Sequence, residues 1–189
     1  MKPFFQCLSF LCLFSTWVYS EVIVPDLISY DKPDFLSVAK KGSSSMDNPY
    51  SGLNPIIEYL GKGNSEQNFR QLNIGLRSVG GSVKEGKVVD YSKVTRDGLK
   101  ALMLKTVSDR ATNKPKVEDI LISGHKAYRL YSVVPMPQIH EGIIFYFEYI
   151  WIPIEPNKVI QLKLVGSDKV LLKSIRESLS TLKILKKQG

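Results

Sequence analysis

The sequence predicts an α+β fold, a mostly antiparallel β-sheet of about five to six strands with two main helices packed on it. Three observations support this prediction. Segments with a hydrophobic period of two follow one another through short turns, instead of alternating with helices as in a parallel sheet. Two segments have the helical period. The composition of the 189 residues, 43% hydrophobic and 23% charged, is that of an ordinary globular domain and excludes collagen-like, coiled-coil and wholly disordered chains.

Residues 1–20 predict a signal peptide. A single charge, Lys2, precedes an apolar stretch from Phe4 to Tyr19, which is shorter than the roughly 20 residues that a bilayer core requires. We expect cleavage between Ser20 and Glu21, a secreted, periplasmic or cell-envelope location, and no transmembrane segment in the mature chain.

Both cysteines, Cys7 and Cys12, lie inside this leader. A lipid anchor on Cys12 is the alternative, but Leu11 is larger than the residue that usually precedes an anchored cysteine. A mature chain from Glu21 onward has no cysteine, which excludes disulfides, thiolate metal sites and a cysteine nucleophile.

The rest of the chain is expected to be one domain in two parts. Residues 21–68 form an extended, loop-rich lead-in that joins the sheet, with a short strand around Ile56–Leu60. Residues 69–189 form the α+β core.

The core begins with a strand and a helix. Leu72, Ile74 and Leu76 alternate with polar residues, as in a strand with one buried face. Residues 92–110 then change to the helical period, with Ser92 or Thr95 at the N-cap.

The second half of the core is predicted as a run of strands closed by a helix. The strands are Val117–Ser123, Lys126–Val134, Gly142–Ile154 and Val159–Val165, with a last short strand at Lys183–Lys186. The helix, capped by Ser167, repeats its apolar residues at Leu171, Ile175, Leu179 and Leu182. We expect this helix to pack on one buried sheet face made of Leu72, Ile74, Leu76, Ile160, Leu162 and Leu164.

Two segments resemble the PsbP-like proteins. Residues 123–130, SGHKAYRL, are similar to the G-x-x-A/G-Y-x-L/V strand of that family, and Trp151–Val159 with the helix ending at Leu182 is similar to its closing strands and terminal helix. The family includes a photosystem accessory subunit, a Ran-GTPase-binding factor and exported bacterial lipoproteins. The resemblance covers roughly residues 69–186 and implies an antiparallel sheet between helices with a binding or accessory role.

The strand at 142–154 carries a candidate binding surface. Its odd-numbered side holds Phe145, Phe147, Tyr149 and Trp151, which form either sheet core under a helix or a surface for a ligand or partner. Arg129 or Lys163 beside these rings would favour an anionic or sugar-like ligand. On the even-numbered side, Glu148 indicates a wet stretch or a salt bridge.

No catalytic residue, metal site or cofactor is predicted. The sequence has no G-x-S-x-G elbow and no phosphate-binding loop, and two histidines, His125 and His140, are few for a metal site. The formal charge of the chain is +8, and the segment between Lys62 and Lys116 alone carries +7. A basic patch of Lys84, Lys87, Arg96 and Lys100 is predicted either to meet an anionic envelope component or to serve solubility alone.

These observations favour an exported, non-catalytic binding or accessory domain whose partner is a protein or an anionic envelope component. The alternatives are a carrier of a small apolar or lipid-like ligand and a carboxylate- or metal-dependent hydrolase. Nucleic acid is not an expected partner, because the basic residues are dispersed and no recognition motif is present. An apolar pocket larger than about 300 Å³ would favour the carrier.

Overall fold

The computed structural model of the protein describes residues 21–24, 27–41, 53–65, 67–79, 82–84, 87–89, 95–107, 109–137, 142–155 and 158–185. The expected signal peptide, residues 1–20, lies outside the described residues, and Glu21, which follows the expected cleavage site, is the first described residue. His140 also lies outside the described residues. Within the described residues, no helix is long and apolar enough to cross a membrane.

Twelve strands and two helices make up the described fold. The strands are β1 Glu21–Val24, β2 Ile28–Tyr30, β3 Leu36–Lys41, β4 Leu53–Gly61, β5 Arg70–Ser78, β6 Ser82–Lys84, β7 Lys87–Val89, β8 Val117–Ile122, β9 His125–Pro135, β10 Ile144–Glu155, β11 Lys158–Gly166 and β12 Lys183–Ile184. The helices are α1 Arg96–Leu104 and α2 Lys169–Ser178, and a 3-10 turn, Leu179–Thr181, follows α2.

Seven strands form the main sheet in the order β3-β4-β5-β11-β10-β9-β8. Every neighbouring pair in it is antiparallel, so the predicted α+β class is confirmed. The sheet has more strands than expected because β3 and β4, from the lead-in, add to its edge. A small sheet, β1-β2-β12, and a hairpin, β6-β7, complete the described strands.

The two faces of the main sheet differ. We call the face on which α2 packs the helix face. Five of the six predicted sheet residues lie in its buried core: Leu72, Ile74, Ile160, Leu162 and Leu164. The sixth, Leu76, is partly buried and packs against this core. Ile175 and Leu179 pack over it as expected. We call the opposite face, which carries the odd-numbered residues of β10, the aromatic face.

The N-cap of α2 corrects one prediction. Asp168, not Ser167, caps the helix, since its Oδ1 accepts a hydrogen bond from the Leu171 amide at 2.8 Å. Leu172 is fully buried at the position expected for Leu171, which is half-buried. In α1 the expected cap is present, because the Thr95 hydroxyl accepts from the Gly98 amide.

The β8–β9 hairpin turns at Ser123–Gly124, one residue earlier than the sequence indicated. Both residues have positive φ, 50° and 78°, as a tight two-residue hairpin turn requires. This turn sets the register that pairs Glu118 with Arg129.

Candidate functional site on the aromatic face

The aromatic residues of β10 lie on the face opposite α2. Successive strand residues point to opposite faces, and Ile150 and Ile152 are buried in the core beneath α2. Phe147, Tyr149 and Trp151 therefore share the aromatic face.

One end of this face is covered by α1. Trp151 is 1% exposed and belongs to a core cluster with Leu99 and Met103 of α1 and with Leu130 of β9. At this end the aromatic residues are sheet core under a helix. Trp151 is thus a structural anchor of the face.

The other end of the face holds a shallow, largely open groove of about 440 Å³. Its lining is almost wholly apolar and includes Phe69, Phe145, Phe147, Met136 and Val165. The volume lies within the range of about 300–1,000 Å³ typical of small-molecule sites.

Ser167 helps to position one wall of the groove. Its hydroxyl accepts a hydrogen bond from the Phe69 amide at 2.9 Å and donates one to the Gln67 carbonyl at 2.9 Å. The Phe69 ring then meets the Phe145 ring edge-on, with centroids 5.4 Å apart. A serine expected to cap α2 therefore holds the segment that leads into β5 against the end of β11.

Lys163 lies next to the groove. β11 is the middle strand of the seven, and Lys163 is paired there with Tyr149 on one side and Asn73 on the other. Its Nζ is 5.4 Å from the centroid of the Phe147 ring, which itself stacks on the Tyr149 ring at 6.4 Å. Burial lowers the pKa of Lys163, and Glu58 partly offsets this effect.

The carboxylate of Glu58 is held by a neighbour on β5. Gln71 donates its side-chain N–H to Glu58 Oε1 at 2.5 Å. Gln71 also lines the groove, so this bond fixes a polar edge beside the apolar floor.

A second cation, Arg77, lies on the same face toward α1. Its guanidinium lies 5.1 Å from the centroid of the Trp151 ring, and Nη1 donates to Gln161 Oε1 at 2.9 Å. Burial lowers the pKa of Arg77 and raises that of Tyr149. This end of the face combines a stacked arginine with packed aromatic rings.

Arg129 does not join the surface with which it was grouped. It pairs with Ile150 in the register and therefore lies on the helix face. There Arg129 bonds the Glu118 carboxylate at 2.5 Å and lies 4.0 Å from Glu148. The sequence could not reveal the face on which Arg129 lies. Alternation along β9 separates its odd- and even-numbered residues, but it does not say which of the two sets shares a face with the aromatic residues of β10.

Glu148 forms a salt bridge, which is one of the two alternatives that the sequence left open. The side chain is 1% exposed, and its Oε2 accepts from Arg176 Nε of α2 at 2.9 Å. Burial raises the pKa of Glu148, against the lowering effect of the two arginines. The buried hydroxyl of Tyr131 has no hydrogen-bond partner among the described residues. Burial raises the pKa of Tyr131, and the nearby Glu148 charge adds to this effect.

The residues of the predicted basic patch are divided between two elements. Lys84 and Lys87 face each other in the β6–β7 hairpin register. Arg96 and Lys100 both bind Asp119 of β8, at 2.6 and 2.8 Å. Lys100, expected to be exposed, is half-buried because its ammonium also lies over the Tyr128 ring. One carboxylate therefore offsets part of the charge attributed to this patch.

Within the described part of the chain, no group of three or more His, Cys, Asp or Glu residues is arranged to hold a metal ion.

Sequence reasoning missed several residues that line or flank the groove. Gln71 and Asn73 alternate with the apolar residues of β5, so the sequence does indicate that they share one face of the sheet. That β5 pairs with β11, which brings Asn73 beside Lys163, was not visible. Phe69 and Met136 come from connecting segments without a periodic signal.

No protein-family model and no curated protein matches the chain. Several solved structures are similar to it, among them those of LpqN and PsbP (CyanoP). LpqN of Mycobacterium tuberculosis, described as involved in cell envelope biogenesis, is 12% identical, with 83% of this chain and 82% of LpqN covered and a TM-score of 0.47. PsbP (CyanoP) from Synechocystis sp. PCC 6803 is also 12% identical, with 88% and 90% covered and a TM-score of 0.47.

Proposed function

We propose that this protein is an exported, non-catalytic binding domain that holds a small apolar ligand in the groove of its aromatic face. The observation that supports this is the groove itself, about 440 Å³ with an apolar lining from β5, β10 and β11 and their connections. Its volume exceeds the size at which a carrier becomes the favoured function. Export is proposed on the basic and apolar character of residues 1–20.

The floor of the groove is suited to an acyl chain or a ring. Phe145 and Phe147 have ring centroids 6.4 Å apart, and Val165 lies directly across from Phe147 on β11. Removing apolar ligand surface from water here contributes about 25 cal/mol per Å² of buried area, less the cost of immobilising the ligand. The groove is open, so we expect micromolar rather than nanomolar affinity.

The test is a titration of the purified protein with N-phenyl-1-naphthylamine, a neutral apolar probe whose fluorescence rises when it leaves water. We expect saturable binding by the wild type. Val165→Trp, which places an indole in the groove, should abolish binding, and Phe147→Ala should weaken it about tenfold. Near-ultraviolet circular dichroism and the thermal midpoint show whether each variant is folded.

Leu121→Ala is the matched control, because Leu121 is an apolar side chain 69% exposed on the edge strand β8, away from the groove. It should bind the probe as the wild type does. Absence of saturable binding by the wild type contradicts the proposal, as does undiminished binding by folded Val165→Trp.

A further inference from the structure

Lys163 occupies an unusual place for a lysine. It is half-buried in the middle of the central strand β11, with the Phe147 ring 5.4 Å from its ammonium. Lysine side chains are seldom kept at such positions without a partner, because desolvation of the ammonium is costly.

Six other cations of the described residues have carboxylate partners within 4.0 Å. Arg129 binds Glu118, Arg176 binds Glu148, and Lys158, Lys173, Arg96 and Lys100 likewise have theirs. Lys163 has no such ion pair, and none of the described residues accepts a hydrogen bond from its ammonium. Its three N–H donors are therefore available to a ligand.

Asn73 adds a second polar group that lacks a partner. It lies directly across from Lys163, and its side-chain oxygen is buried without a hydrogen-bond partner among the described residues. Since turning the amide over exchanges its C=O and NH₂ groups, Asn73 can also donate to a group that Lys163 binds.

The Phe147 ring connects this polar pair to the groove. The ring lines the groove and also lies 5.4 Å from Lys163 Nζ. Lys163 itself does not line the groove, so a ligand chain that lies in the groove would have to extend past Phe147 to bring its end group to the ammonium.

We propose that the ligand is a single-chain anionic amphiphile, whose chain lies along Phe145, Phe147 and Val165 and whose carboxylate or phosphate group is bound by Lys163. This inference rests on the proposed function and specifies the chemical class of the ligand. The moderate volume favours one chain, and the formal charge of +8 attracts an anion toward the protein.

Glu58 is the charge on this face that opposes anion binding. It lies farther than 4.0 Å from Lys163, and its carboxylate is engaged by Gln71. It therefore leaves the ammonium free but weakens the attraction for an anion. Removing its charge should tighten binding.

The test compares ligands that share a chain and differ in the end group. Displacement of bound N-phenyl-1-naphthylamine is measured with dodecanoate, dodecyl phosphate and dodecanol, below their micelle concentrations at pH 8. We expect one or both anions to bind the wild type about tenfold more tightly than dodecanol, the factor expected of a charge-assisted hydrogen bond. Whichever anion is preferred identifies the end group, and inorganic phosphate alone should not displace the probe.

Three variants assign the preference to its residues. Lys163→Met should bind the anions and dodecanol equally, with dodecanol affinity unchanged. Glu58→Gln should bind the anions a few-fold more tightly than the wild type. Lys183→Met, which removes an exposed lysine on β12, is the matched control and should keep the full preference.

The possible failures are distinguishable. Equal affinity of the wild type for dodecanoate, dodecyl phosphate and dodecanol overturns this inference and leaves the proposed function intact. A preference that persists in Lys163→Met, or displacement by inorganic phosphate alone, also overturns it. If neither the probe nor any of the three ligands binds, the proposed function fails and this inference fails with it.

Discussion

The helix face and the aromatic face belong to the same seven strands but are built differently. On the helix face, α2 and the small β1-β2-β12 sheet close over aliphatic rows, and residues such as Leu162 and Ile175 are fully buried. On the aromatic face, α1 covers the Trp151 end and leaves a groove beside Phe147. The difference predicts that the helix face contributes more to stability, and it leaves the aromatic face for the binding that we propose.

The two faces also differ in the partners of their buried charged groups. Glu148 of the helix face is bound by Arg176 and approached by Arg129. Lys163 of the aromatic face has an aromatic neighbour and no ion pair among the described residues. The Glu148–Arg176 bridge links α2 to the sheet, whereas Lys163 is the group that we propose to bind the anionic end of a ligand.

The largest expected effect separates the faces by stability. Leu162→Ala removes a fully buried side chain under α2 and should lower the free energy of unfolding by about 2–5 kcal/mol. Phe147→Ala removes a larger side chain but from a half-buried position on the groove, and should cost less than half as much. Urea unfolding followed by circular dichroism measures both. Equal losses would mean that the aromatic face is as closed as the helix face.

The second effect concerns pH on the helix face. At pH 4, where the carboxyl is largely protonated, Glu148→Gln should cost about 1 kcal/mol for the changed hydrogen bond to Arg176. Because burial raises the pKa of Glu148, the wild type loses stability relative to this variant as the pH rises from the unfolded value through the folded one.

The difference in unfolding free energy between wild type and Glu148→Gln, measured from pH 4 to pH 8, tests this sign. The other charged groups near Glu148 are Arg176 on α2, Arg129 on β9 and Glu118 on β8, and they are present in both proteins. A cost that grows with pH would show that the arginines outweigh burial and lower the pKa instead.

The smallest effect concerns Lys163. Since burial lowers its pKa, the charged form destabilises the fold at neutral pH, and Lys163→Met should raise the free energy of unfolding by roughly 0.5–1 kcal/mol. The gain should shrink as the pH rises through the lowered pKa toward 10.5, because the wild-type lysine then becomes neutral. Guanidinium melts at pH 7 and pH 10 measure this. A variant that is less stable at pH 7 would mean that Lys163 has a structural partner.

Much of the fold was predictable because it depends on local periodicity. The alternation of Leu72, Ile74 and Leu76 places them on one face whatever the strand pairs with. Positions within one turn of a helix end were less predictable, because a cap depends on which side chain reaches the free amides. Asp168 and Ser167 are both good caps by composition, and Ser167 is drawn to the Phe69 amide instead.

The sequence alone determined the two-faced character of β5, β10 and β11, since residue parity along each strand separates aliphatic from aromatic and polar side chains. Which faces meet was decided only by strand pairing. The register that sets Ile150 across from Arg129 put the arginine on the helix face, and the pairing of β5 with β11 put Asn73 beside Lys163. These contacts join residues far apart in the chain. They depend on the hydrogen-bonded ladders and on burial of the whole sheet, so no local pattern contains them.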